Sequence, residues 1–110
     1  MNDKETTISE LKETILDFAR RRGWDASHTA LNLAVSIDLE ASELLEIFQW
    51  CDRAEADRAA RETDREHFME ELADVMIYCM ELATAYDVDI ASAIEDKMRK
   101  NAIKYPEVIS

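Results

Sequence analysis

Glycine and proline are almost missing from this chain: Gly23 and Pro106 are the only ones among 110 residues. A β-rich fold needs several such turn residues, so their scarcity argues for helices. One glycine also excludes a Gly-rich phosphate-binding loop. Cysteine is nearly as rare. Cys51 and Cys79 lie far apart without CxxC spacing, and neither has a histidine partner in sequence for nucleophilic chemistry. They read as two reduced thiols of a cytoplasmic protein. No apolar run approaches the ~18 residues of a membrane span, and the opening MNDKETTISELKE is too polar and acidic for a signal peptide. Basic residues are outnumbered, 13 Lys and Arg against 25 Asp and Glu, giving a formal net charge of −12. DNA and anionic membranes should repel such a chain. Two readings of the acidic surplus stand side by side: a solubility device, or acids gathered in a site and neutralised by metal.

What is present points to one all-α domain. A hydrophobic fraction of 47% is ordinary for a globular protein and argues against disorder. Residues 1–6 are expected to be a polar tail, 7–106 the domain and 107–110 a second tail. Thr7 and Glu10 form a capping box ahead of Ile8, Leu11, Ile15 and Phe18, which share one helical face. This first helix should stop at Gly23. WDASH (24–28) is a connector, with Asp25 or Ser27 as the next cap. A second helix should cover about 29–51, followed by mixed-charge residues 52–64 as a loop, a short surface helix or both. Thr63 and Glu66 form another capping box, predicting a third helix through about Tyr86. Its middle, LADVMIYCMELA, is apolar except at Asp74, Tyr78 and Glu81, so this helix should be central. Asp89 would cap a fourth helix over about 90–103, ending before Pro106. The expectation is an antiparallel four-helix arrangement. Its core is modest and leaves room for partner subunits to add to it.

The second helix carries an anomaly. At about 100° per residue, Glu40 points along the same line as Leu33, Ile37, Leu44 and Ile47. Glu43 lies about 60° away, at the edge of that stripe, and Glu46 about 120° away, toward solvent. A carboxylate on an apolar stripe is expensive unless something pairs with it. A buried salt bridge to an Arg or Lys of another helix is one solution. The third helix repeats the spacing with Glu71 and Asp74, although His67, Glu70, Glu71, Asp74, Tyr78 and Glu81 also form a polar stripe suited to water. Two long helices each place acids at i and i+3 on one face. Facing each other they gather four carboxylates, which need cations, and carboxylate oxygens alone suit Mg²⁺ or Mn²⁺. Mg²⁺ sites of this kind share the ion with substrate phosphates.

A phosphate site needs positive charge, and KMRKNAIKY (97–105) supplies it. Lys97, Lys100, Asn101 and Lys104 form one stripe, readable also as a solvent face favoured by the helix C-terminal dipole. Trp24 and Trp50 are core, interface or base-stacking residues. Trp50 and Asn32 project to the same side beside the acids. His28 either contacts a base or caps a helix. No ExxH pair of the di-iron type is present, and Asp25/His28 and Asp64/His67 read as capping.

RGW followed by HTALNLA (22–24, 28–34), LEASELLEIFQW (39–50), EELADVMIY (70–78) and DKMRKNAIKYP (96–106) occur in this order. Together they make the chain resemble the MazG-like all-α nucleoside triphosphate pyrophosphohydrolases. The likeness is stronger to the small branch that includes dCTP pyrophosphatases, and it runs from about Phe18 to Pro106. The resemblance implies Mg²⁺ on Glu40, Glu43, Glu71 and Asp74, and triphosphate contacts from Lys97, Asn101 and Tyr105. It implies a base and sugar side lined by Trp24, His28, Asn32 and Trp50, and a homodimer or homotetramer completing the pocket. Departures fall at Asp38, Ala41 and Ser42 around the first acids, and at Ile15, where some relatives have a polar or aromatic base contact. They leave the acids intact and bear on base preference. Two other readings remain: an enzyme like phosphoribosyl-ATP pyrophosphatase, and a non-catalytic acidic helical interaction module with salt-bridged core acids.

Overall fold

The computed structural model describes residues 1–108, so the last two positions of the expected 107–110 tail lie outside it. The described residues form α1 (Ile8–Arg21), α2 (Ala30–Glu46), a short α3 (Arg53–Arg58), α4 (Arg65–Ala85) and α5 (Ile90–Lys104), with no strand among them. None of these helices is long and apolar enough to cross a membrane.

Both ends of α1 follow from local chemistry. The Thr7 hydroxyl accepts from the Glu10 N–H at 3.1 Å and donates to the Glu10 carboxylate at 3.2 Å. At the other end Gly23 adopts φ +68, a left-handed conformation that glycine enters without a Cβ penalty. Trp24 N–H then bonds to Ala19 O at 2.9 Å and Gly23 N–H to Arg20 O at 3.0 Å, a Schellman closure.

The next cap is Thr29. Its hydroxyl accepts from Asn32 N–H at 3.2 Å, whereas the expected caps Asp25 and Ser27 lie in a 3₁₀ turn, Asp25–Ser27. α2 also ends at Glu46, short of the expected residue 51. Beyond it Phe48 turns inward against Phe68 of α4, ring centroids 6.2 Å apart, and Asp52 caps α3 by accepting from Glu55 N–H at 2.8 Å. A new helix start so close forces the chain out of α2. The capping box at Thr63 and Glu66 does not form either. Thr63 belongs to a π-helical turn, Ala59–Thr63, and Asp64, which precedes α4, makes no side-chain cap bond.

Packing centres on α4, which lies against both α2 and α1. Leu33 of α2 is 2% exposed, with Ala19, Met80 and Ala83 buried around it. Fully burying a leucine of this kind stabilises by about 2 kcal/mol. α5 is different. It is well capped, Asp89 accepting from Ser92 N–H at 2.9 Å, yet it makes no extended contact with any other helix. Ile94, Met98 and Ile103 of α5 stay exposed, as do Leu31, Leu39 and Leu45 on α2. Only the turn before α5 is tied down. Lys12 Nζ donates to Val88 O at 2.6 Å, and Ala30 N–H donates to the Tyr86 hydroxyl at 2.7 Å.

Candidate metal and nucleotide site

Because α2 packs on α4, the two i, i+3 acid pairs meet. One carboxylate oxygen from each of Glu40, Glu43 and Glu71 lies within 4.8 Å of the other two. Asp74 stands outside this triplet but lines the same cavity as Glu40, near enough for its charge to act on that carboxyl. Glu40 and Glu71 are half-buried, and Oε2 of each is shut off from solvent without a hydrogen-bond partner.

The electrostatic result is visible in Glu40. Its pKa is raised from 4.5 to about 7, first by burial, then by a hydrogen bond shared with Glu43 and by the charges of Glu43, Asp74 and Glu71. Glu71 is also raised, by burial and then by Glu43, with Asp74 adding to the effect and His67 opposing it. No Lys or Arg among the described residues pairs with any of the four acids. The buried salt bridge that an interaction module would need is therefore not formed. The one basic neighbour is His67, with Nε2 3.3 Å from Glu71 and Nδ1 3.5 Å from Asp64. Asp64 thus holds the imidazole instead of capping a helix. Orphaned buried carboxylate oxygens, acids lifted by one another and a purely oxygen donor set fit a hard divalent cation.

Beside the acids lies a cavity of about 600 Å³, the size range of a small-molecule site. Glu40 and Asp74 line one part of it, and Trp24, His28 and Asn32 line it too. Trp24 stands edge-on to Phe18, centroids 5.7 Å apart, and both rings form apolar wall. Asn32 is oriented by donating its amide to Ser27 O at 3.0 Å. Of the two alternatives for His28, the helix cap does not form, since Thr29 caps α2. Its ring enters the cavity instead, Nε2 lying 3.6 Å from Glu81.

Three expectations meet a different geometry. Trp50, expected beside Asn32 at the end of the second helix, lies past the end of α2 and is 88% exposed. It belongs to a separate outer pocket with Glu43, Glu71 and His67. Lys97, Asn101 and Tyr105 line neither pocket, and α5, which carries Lys97 and Asn101, makes no extended contact with another described helix. The polar stripe on α4 does not face water as a unit: His67 and Glu70 are exposed, Asp74 and Tyr78 half-buried, and Glu81 only 8% exposed. The pKa of Tyr78 is raised by burial and by the charges of Glu81, Glu40, Asp74 and Glu43. Sequence reasoning passed over Tyr78, Glu81 and Phe18 as site residues. An acid one turn beyond Ile77 in an otherwise apolar run was the available signal for Glu81.

Comparisons with known proteins bear on the family and the fold. A model of the MazG-like family matches residues 35–109. Over 107 residues the chain is 36% identical to dCTP pyrophosphatase 1 of Rattus norvegicus, covering 96% of this chain and 63% of that protein. Over 103 residues it is 34% identical to dCTP pyrophosphatase 1 of Homo sapiens, covering 93% of this chain and 61% of that protein. The chain thus spans less than two thirds of the length of these curated relatives. The crystal structure of a pyrophosphatase from Archaeoglobus fulgidus superposes with a TM-score of 0.86 at 37% identity, covering 97% of this chain and 99% of that one.

Proposed function

The chain belongs to the MazG-like family, and on that premise we propose that it hydrolyses a nucleoside or deoxynucleoside triphosphate to the monophosphate and pyrophosphate. The observation that carries this reading is the juxtaposition of the acid cluster with an aromatic-walled cavity of nucleoside size. A relative named for dCTP hydrolysis supports a nucleotide substrate, and housecleaning of the nucleotide pool is the role that suits it. In this reading the protein works in the cytoplasm.

Glu40, Glu43, Glu71 and Asp74 would hold Mg²⁺, or Mn²⁺ in its place. When bound, the ion acts as a Lewis acid that offsets charge on the phosphate oxygens. The chain's own residues do the rest. Glu40 and Glu71 keep buried carboxylate oxygens without partners for the triphosphate end, where one acid of the four orients the attacking water and takes its proton. Trp24 offers a face on which the base stacks, while His28 and Asn32 hold the base and sugar side. Trp50 closes the outer side of the acids. Lys97, Asn101 and Tyr105 contact the triphosphate in an assembled homodimer or homotetramer, in which the uncovered apolar faces of α2 and α5 are buried against another copy.

The test is pyrophosphate release from a panel of NTPs and dNTPs, with Mg²⁺, with Mn²⁺ and with chelator, for the wild type and Glu40→Gln. Metal-dependent release of pyrophosphate together with the monophosphate, abolished in the variant, is the expected result. No turnover on any nucleotide with either metal would overturn the reading.

A further inference from the structure

One buried carboxylate takes no part in the acid cluster. Glu81 is 8% exposed and its Oε2 has no hydrogen-bond partner. Its nearest ionisable neighbour is His28 at 3.6 Å, an ion-pair separation but too long for a hydrogen bond. Both side chains keep hydrogen-bonding capacity free, and both line the large cavity. A buried carboxyl in this state is destabilising, where an apolar side chain would simply fill the core beside Met80 and Ala83. Something other than folding is served by keeping an acid here.

The position along α4 says what. Glu81 lies seven residues beyond Asp74, two turns or ~10.5 Å at the helical rise. That span is comparable to a nucleoside measured from its 5′ oxygen to the hydrogen-bonding edge of its base. With phosphates at the acids and the ring against Trp24, the base edge arrives at Glu81. Resting on the triphosphate reading above, we propose that Glu81 is a specificity-determining residue. Beside His28 it receives the base edge and selects a base that presents a ring N–H next to an exocyclic amino group, as guanine does, over diketo pyrimidines.

The chemistry is one of matching donors and acceptors. One carboxyl oxygen accepts from the exocyclic amino group. The other accepts from the ring N–H beside it. Burial raises the pKa of Glu81, and His28 opposes the rise and so favours the ionised form that this pairing uses. Uracil and thymine instead present a carbonyl oxygen on each side of N3–H. A carboxylate oxygen set against a carbonyl oxygen is repulsive, which makes the same residue a device of rejection.

The experiment compares kcat/KM for pyrophosphate release from dATP, dCTP, dGTP, dUTP and dTTP in the wild type, Glu81→Gln and Glu81→Leu. In the wild type dGTP should exceed both keto pyrimidines by about 10- to 100-fold, the discrimination expected of a bidentate edge contact. Glutamine can present its donor and acceptor either way round, so Glu81→Gln should bring the ratio to within about threefold by gaining on dUTP and dTTP. Leucine, with no polar edge, should erase the preference through loss on dGTP, and it decides the matter if the glutamine variant does not fold. A wild type indifferent to the base, or variants that keep the wild-type ratio, would overturn the assignment. If no nucleotide turns over, the hydrolase reading fails separately. Calorimetric binding of dGMP and dUMP to the wild type and Glu81→Gln then decides the role of Glu81: a preference for dGMP lost in the variant supports it, and equal affinities overturn it.

Discussion

Glu40→Gln should make the metal-free protein more stable, and the gain should depend on pH in a defined way. A carboxyl moved from 4.5 to about 7 on folding opposes folding by at most about 3 kcal/mol once ionised, at about 1.4 kcal/mol per pH unit. Glu40 is only half-buried, and solvent at the open edge of the cluster screens the interaction, so about 1–2 kcal/mol is the working expectation. The sign follows from the raised value. Below pH 4.5 the residue is protonated whether the chain is folded or unfolded, and the substitution is neutral. Between 4.5 and 7 folding takes up a proton, so wild-type stability falls as pH rises. Above 7 the full penalty is present. Urea unfolding in EDTA at pH 4.5, 6 and 8 therefore should show the variant level with the wild type at the lowest pH and about 1–2 kcal/mol more stable at the highest. Taking the difference between the two proteins removes the opposite trend from Asp52 and Asp89, whose pKa values are lowered by helix-capping hydrogen bonds. Adding Mg²⁺ should raise the wild type's stability and leave the variant's nearly unchanged. A variant that is less stable than the wild type at pH 8 in EDTA would refute the claim that Glu40 is held against its neighbours' charge.

Other perturbations test the scaffold and the phosphate side. Gly23→Ala meets no atom within 4 Å but must hold φ +68, so it should destabilise by roughly 1–2 kcal/mol from backbone conformation alone. A neutral result in urea unfolding would mean that the α1 closure relaxes. Thr29→Ala removes the hydroxyl that accepts from Asn32 N–H and should lower stability by about 1 kcal/mol; unchanged unfolding would assign the start of α2 to packing. Lys97→Ala should lower kcat/KM for pyrophosphate release at least about tenfold, as loss of a charge-assisted contact does. Kinetics indistinguishable from the wild type would remove α5 from the phosphate site.

Much of this architecture was legible because its signals are local. Thr7, Gly23 and Asp89 mark helix ends through interactions within a few residues, and those ends lie where the sequence puts them. The acids of α2 were visible because Glu40 interrupts an apolar stripe, and an interruption is readable from periodicity alone. What failed depended on neighbours in space. α2 stops early because Phe48 finds Phe68 and Asp52 starts another helix. Glu81 looked like one residue of a solvent stripe because its burial is set by what α1 and His28 place over it. The location of α5 was the least readable feature, since it makes no extended contact with another helix among the described residues.

The ties at Val88 and Tyr86 have a mechanical consequence. They anchor the base of α5 to α1 and to the start of α2, while the helix beyond makes no extended contact with another described helix. α5 is thus a cantilever, and its fixed end decides where its far end points. Counting from Asp89 at ~1.5 Å per residue, Lys97 lies ~12 Å out along the beam and Asn101 ~18 Å out, so a 10° change at the root carries Asn101 about 3 Å sideways. Two hydrogen bonds at the root, from Lys12 and from the amide of Ala30, therefore govern the aim of a cationic stripe that neither of them touches.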